Sequence, residues 1–237
     1  MEAVSGLSAK KGPTRMKAQG SICRIGVFYD GSFFSHAQRY FYHDRKMGWL
    51  SFHPLHAFLE HFISTKEQDF ASYKVVYAAW HQGLFSSKDA TEEQLRFERN
   101  RYHDLLHAGV EPKYLPMSQS QGEKGTDVAL AVDALQTGLD GKIDVAVLVT
   151  GDGDFVPLVR TLNKHGIRVL AVYFDFTDKN GRKCFINERL LNSCNYSVDI
   201  SALDKDREFK SSVKSLFRSQ SEWKNKKEDS QPRDATA

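Results

Sequence analysis

Cysteine is scarce in this chain of 237 residues: there are three, Cys23, Cys184 and Cys194. An odd number without CxxC spacing excludes a readable disulfide framework or thiolate zinc site and fits a reducing compartment. Long apolar runs are also missing. No stretch approaches eighteen consecutive apolar residues, and Lys10, Lys11, Arg15 and Lys17 precede no apolar leader segment, so the chain reads as soluble and cytoplasmic. There is no GxSxG elbow and no HExxH pair, and Gly151 and Gly153 lack the following glycine of a dinucleotide loop. Serine-hydrolase, zincin and nicotinamide chemistries are thereby set aside. Nor is there much charge of one sign: 33 Lys and Arg stand against 30 Asp and Glu, a net +3. Any nucleic-acid contact must therefore come from local clusters.

What is present is an alternation of short apolar runs with amphipathic segments. RIGVFYD (24–30), YKVVYAAW (73–80), PKYLPM (112–117), DVAVLVT (144–150) and IRVLAVYF (167–174) read as strands. LHAFLEHFIS, TEEQLRFERNRYHDLLHAG, TDVALAVDALQTGL and FVPLVRTLNKHG carry apolar residues at helical spacing, with Gly109 and Gly166 placed as C-caps. A last helix, INERLLNSC, leads to an edge segment, YSVDIS. The pattern predicts one α/β domain over residues 23–203, with a mostly parallel sheet of five to six strands covered on both faces. Residues 1–22 read as a basic N-terminal tail and 204–237 as a charged, flexible C-terminal tail. The aromatic stretch from 33 to 54 fits no element.

Acids collect where such a sheet binds ligands, outside the carboxyl ends of its strands. Asp30 ends the first strand, Asp152 and Asp154 follow the fourth in VLVTGDGDFVPLV, and Asp127 opens the helix near Thr126. Each has an ordinary use: Asp30 in an Asx-turn, Asp127 at a helix dipole, Asp154 as a helix cap. Capping one helix needs only one side chain, however, which leaves the Asp152/Asp154 pair unaccounted for. Two carboxylates ~5 Å apart repel by roughly 3 kcal/mol at an effective dielectric of ~20, and a cation relieves this. All-oxygen ligation suits Mg²⁺ or Mn²⁺, which can activate water against a phosphodiester.

At VFYDGS, EKGTDVALAVDAL and DVAVLVTGDGDFVPLV, the chain resembles the NYN domain family, the LabA-like group within the PIN-like nuclease superfamily, from about Ile25 to Ile200. The resemblance implies a Rossmann-like, three-layer sandwich with the first and fourth strands adjacent. It also implies metal-dependent cleavage of RNA at an acidic site falling on Asp30, Asp127, Asp152 and Asp154. Ser32 and Thr150 match small hydroxyl positions that assist a metal-bound water. Where many members carry asparagine shortly after the first aspartate, this chain has Ser32 and Phe33.

Lys124, Arg39 and His36 are candidate RNA contacts, the last two on the helical face that Ser32 begins. Tyr40, Phe41, Tyr42 and Trp49 either stack on bases or pack the insertion against its own domain. Asp133, about 120° around the helix from Asp127, reads as structural. The expected partner is single-stranded or structured RNA, without a membrane, and a homo-oligomer is compatible with the sequence. Two rivals stay open: a noncatalytic RNA-binding or regulatory module that keeps the acidic pocket, and a DxD-type nucleotide-sugar transferase.

Overall fold

The computed structural model describes residues 21–118 and 122–218. Six parallel strands form its centre: β1 (Ile22–Asp30), β2 (Ser72–Phe85), β3 (Glu111–Met117), β4 (Val145–Val149), β5 (Arg168–Tyr173) and β6 (Tyr196–Asp199). Their spatial order is β3-β2-β1-β4-β5-β6. This is the doubly wound order, and the chain reverses its direction of travel between β1 and β4. The YSVDIS segment takes the sheet edge as β6. The strand predicted at 73–80 runs on to Phe85, because Ala79 to Phe85 pair with β3 after the earlier residues have paired with β1.

Alternation along the strands feeds two cores. Val27 and Tyr29 of β1 and Val145, Val147 and Val149 of β4 face one layer, built from α1 (Gly31–Arg39), α2 (Phe52–Lys66) and α3 (Glu92–His107). Phe28, Ala146 and Leu148 face the other, which contains α4 (Thr126–Leu139), α5 (Val156–Lys164) and α6 (Glu188–Ser193). Strands buried on both faces need apolar side chains at every position, which explains the unbroken VAVLV of β4. Gly109 and Gly166 follow α3 and α5 with positive φ, 67° and 81°, the backbone expected just beyond a helix end.

The aromatic stretch is a helix, a five-residue π-turn (Tyr40–Asp44) and a two-residue strand, Trp49–Leu50. Phe41 is buried in the main core, Tyr40 stacks on Phe176 at 3.8 Å, and Tyr42 stacks on Trp49. Packing thus accounts for these rings. Phe176 belongs to a small hairpin, residues 176–184, that lies against α1 and the π-turn through His36–Asp178 and Lys179 N–Asp44 contacts.

The expected flexible tail from 204 is corrected in its first part. Phe209, Val213 and Leu216 are buried in the core, and Phe217–Arg218 pair antiparallel with Trp49–Leu50. Phe209 meets Phe58 and Phe62 of α2. Three apolar residues spaced by four and three were hidden among many charges, and charge dominated the composition of the segment. The expected N-terminal tail, except Ser21 and Ile22, and residues 219–237 lie outside the described residues. No helix among the described residues is long and apolar enough to cross a membrane.

Candidate functional site

Asp30 is the last residue of β1 and the N-cap of α1. Its Oδ1 accepts from the backbone N–H groups of Ser32 and Phe33, at 3.1 and 3.0 Å. Its Oδ2 accepts from the Thr150 hydroxyl at 3.2 Å, and that same hydroxyl oxygen accepts from Asp152 N at 3.2 Å. Thr150 is fully buried at the end of β4, so this short chain of bonds ties the loop after β4 to the end of β1. It spans the crevice at which the sheet order reverses.

Asp152 Oδ1 accepts from Asp154 N at 2.9 Å and closes a single 3₁₀ turn, Gly153–Phe155. Capping therefore falls to Asp152, whereas Asp154 is exposed and α5 has no side-chain cap. The loop is pressed from behind: a Cβ at Gly151 would collide with the carbonyl of Phe185. Asp127 lies in the first turn of α4, which starts after Gly125 with φ at 78°. Lys124, one residue earlier, is exposed.

A fifth carboxylate, Glu123, joins the edge. It accepts from the Ser32 hydroxyl at 2.6 Å and from the backbone N–H of Gly83 at the far end of β2. Ser32 is thus used to hold Glu123. The sequence signal for it was its place in EKGTD, directly ahead of Lys124; nothing in that stretch says that the loop folds back onto β2.

The charges act on one another. Burial and the neighbouring Asp127 and Glu123 raise Asp30 to about 6, against the pull of its Phe33 and Thr150 hydrogen bonds. Burial, Asp152, Glu123 and Asp154 raise Asp127. Like charges this close favour a cation, and every donor here is a hard oxygen. Yet among the described residues no three Asp, Glu, His or Cys side chains stand close enough to share one ion. The fit is therefore to an ion that keeps much of its water and takes one or two carboxylates, as Mg²⁺ does.

Two predicted RNA contacts are not brought to this edge. His36 Nε2 lies 3.4 Å from Asp178 and its ring packs on Phe176, so it belongs to the hairpin contact. Arg39 closes α1, seven residues beyond Ser32 and so about 10 Å along the helix axis. Asp133 is structural: its carboxylate meets Tyr77 Oη, Lys113 Nζ at 2.8 Å and His81 Nε2 at 3.2 Å. Its partners stand on β2 and β3.

The family model described as NYN domain matches residues 24–201. A crystal structure of a protein of unknown function from Vibrio parahaemolyticus is 22% identical, covering 80% of this chain and 95% of its own, with a TM-score of 0.48. No curated protein matches the sequence.

Proposed function

Since this chain belongs to the NYN domain family, within the PIN-like nuclease superfamily, we propose that it is a metal-dependent ribonuclease that hydrolyses RNA phosphodiester bonds at the acidic edge. One observation carries the reading: Asp30 and Asp127, from separate elements, are each pushed upward by burial and by neighbouring carboxylates, and Glu123, hydrogen-bonded to Ser32, acts on both. A structural cap needs no such crowding.

Asp30, Asp127, Asp152 and Asp154 would hold Mg²⁺ or Mn²⁺, directly or through water, with Glu123 at the rim. The bound cation supplies an activated water and neutralises charge on the phosphoryl oxygens. The chain's own residues set the geometry. Thr150 orients Asp30 Oδ2 and anchors Asp152 N, Ser32 fixes Glu123, and Lys124 stands exposed beside Asp127 to meet a phosphate.

The spacing of the acids favours a second reading, in which the domain binds RNA or a partner without cutting, because no preformed three-carboxylate seat exists among the described residues. Cleavage of labelled single-stranded RNA in Mn²⁺, Mg²⁺ and EDTA, run beside Asp152→Asn, decides between them. Metal-dependent cutting reduced by about 10² or more in the variant is expected. RNA bound and left intact in every metal supports the noncatalytic module.

A further inference from the structure

We propose that the open groove between α5 and α6 binds the RNA backbone next to the bond that is cut, with Arg160 and Arg189 as its phosphate ligands. The assignment rests on the ribonuclease reading above. The groove has a volume of about 610 Å³ and is lined by Asp154, Pro157, Arg160, Arg189, Asn192 and Ser193, among others. A space of that size falls within the usual range for a bound small molecule or nucleotide. Asp154 belongs both to the groove and to the acidic edge, so the two are continuous.

Electrostatics requires such a neighbour. Five carboxylates at the crevice repel a polyanion, and a cation there neutralises charge at one phosphate without holding the rest of the strand. Arg24, Arg45 and Arg168 are each paired with a carboxylate, but Arg160 and Arg189 are exposed and within ion-pair distance of none among the described residues. Guanidinium groups are suited to planar, two-point contact with phosphate oxygens.

The groove is also held in register with the acids. Asn187 donates its backbone N–H to the Gly151 carbonyl at 2.8 Å, while its side chain caps α6 through Arg189 N. Gly153 packs against that Asn187 side chain so closely that a Cβ would meet it at 2.7 Å. One residue therefore fixes the start of the arginine-bearing helix against the loop of Asp152 and Asp154. Arg160 follows on the second turn of α5, from the same loop. No local pattern marks this wall, since its two arginines lie 29 positions apart.

The test is binding of 5′-labelled single-stranded RNA to the full chain in EDTA, followed by anisotropy over a salt series. Arg160→Ala/Arg189→Ala should weaken binding about tenfold and flatten the dependence of log Kd on log salt by about 1.4, the contribution of two single-strand phosphate contacts. Arg96→Ala/Arg99→Ala on the exposed side of α3 removes equal charge elsewhere and should stay within about twofold of the unaltered chain. Groove variants that bind as tightly as the unaltered chain, or a control pair that loses as much, overturn the groove. Cleavage in Mn²⁺ separates the two levels. An unaltered chain that cuts RNA with the groove variants unchanged in KM sinks the groove and leaves the ribonuclease. A chain that binds through the groove and never cuts supports the groove and sinks the ribonuclease, and one that neither binds nor cuts overturns both.

Discussion

Asp30 does two things at once, and they pull stability in opposite directions. As a cap it accepts two backbone N–H bonds, and as a half-buried acid among acids it resists ionisation, with a folded pKa of about 6. Its ordinary value, and hence its unfolded one, is near 4. The folded chain therefore binds this proton more tightly. The contribution to stability is full below about pH 4 and is lost as pH rises through about 6, a change on the order of 3 kcal/mol for the two-unit difference. Burial holds His56 down to about 4, so it titrates across the same window in the opposite sense, and the Asp30 contribution is read as a difference: in urea denaturation in EDTA, the unfolding free energy of the unaltered chain relative to Asp30→Asn should fall from pH 4 to 6. Asp30→Asn, which keeps a capping oxygen, should be the more stable chain at pH 7.5 by up to about 3 kcal/mol. Lower stability of the variant at pH 7.5 would mean that the cap outweighs the buried charge. The four aspartates were readable because each follows a strand or opens a helix. Glu123 was not, because its partners, Ser32 and Gly83, are set by a loop returning to β2 and no local pattern records that return.

Among the elements, strands and helices were visible wherever one physical period governed them. β4 and β5 are unbroken apolar runs, and α5 alternates sharply between core and solvent. The stretch from 33 to 54 was opaque because its rings pack on a hairpin more than 120 residues later, a contact with no local period. Two substitutions probe how elements are held. Gly151→Ala drives a methyl into the Phe185 carbonyl and the Phe33 ring, so the acidic loop must move. A stability loss of about 1–3 kcal/mol is expected from thermal melting, and cleavage should fall further than melting alone accounts for. Asp133→Ala removes the carboxylate shared by Tyr77, Lys113 and the fully buried His81. Stranding those groups should cost about 3 kcal/mol in urea denaturation. A neutral result would show that water replaces the carboxylate. These hydrogen bonds hold Asp133 below the usual carboxylate range against the effect of burial. Its stabilisation is thus present above its unfolded pKa and is lost as pH falls through its folded one.

For the whole molecule, composition misplaced the end of the domain. Charged residues after Leu203 outnumber the apolar ones, but Phe209, Val213 and Leu216 close the core over α2. Ending the chain at Leu203 should cost on the order of 5 kcal/mol, since each large apolar side chain contributes about 1.5–3 kcal/mol when buried. Phe209→Ala alone should cost about 3 kcal/mol. Urea midpoints measure both, and a truncated chain as stable as the full one would restore the tail reading for the whole segment. The order of the sheet has a further consequence, for synthesis. β1 leaves the ribosome before β4, its neighbour at the crevice, and Thr150, Asp152 and Asp154 arrive only after that strand. Translation products released before β4 lack both the second wall of the crevice and half of its aspartates. On the ribonuclease reading, a nascent chain that has not yet reached β4 carries no finished cutting site.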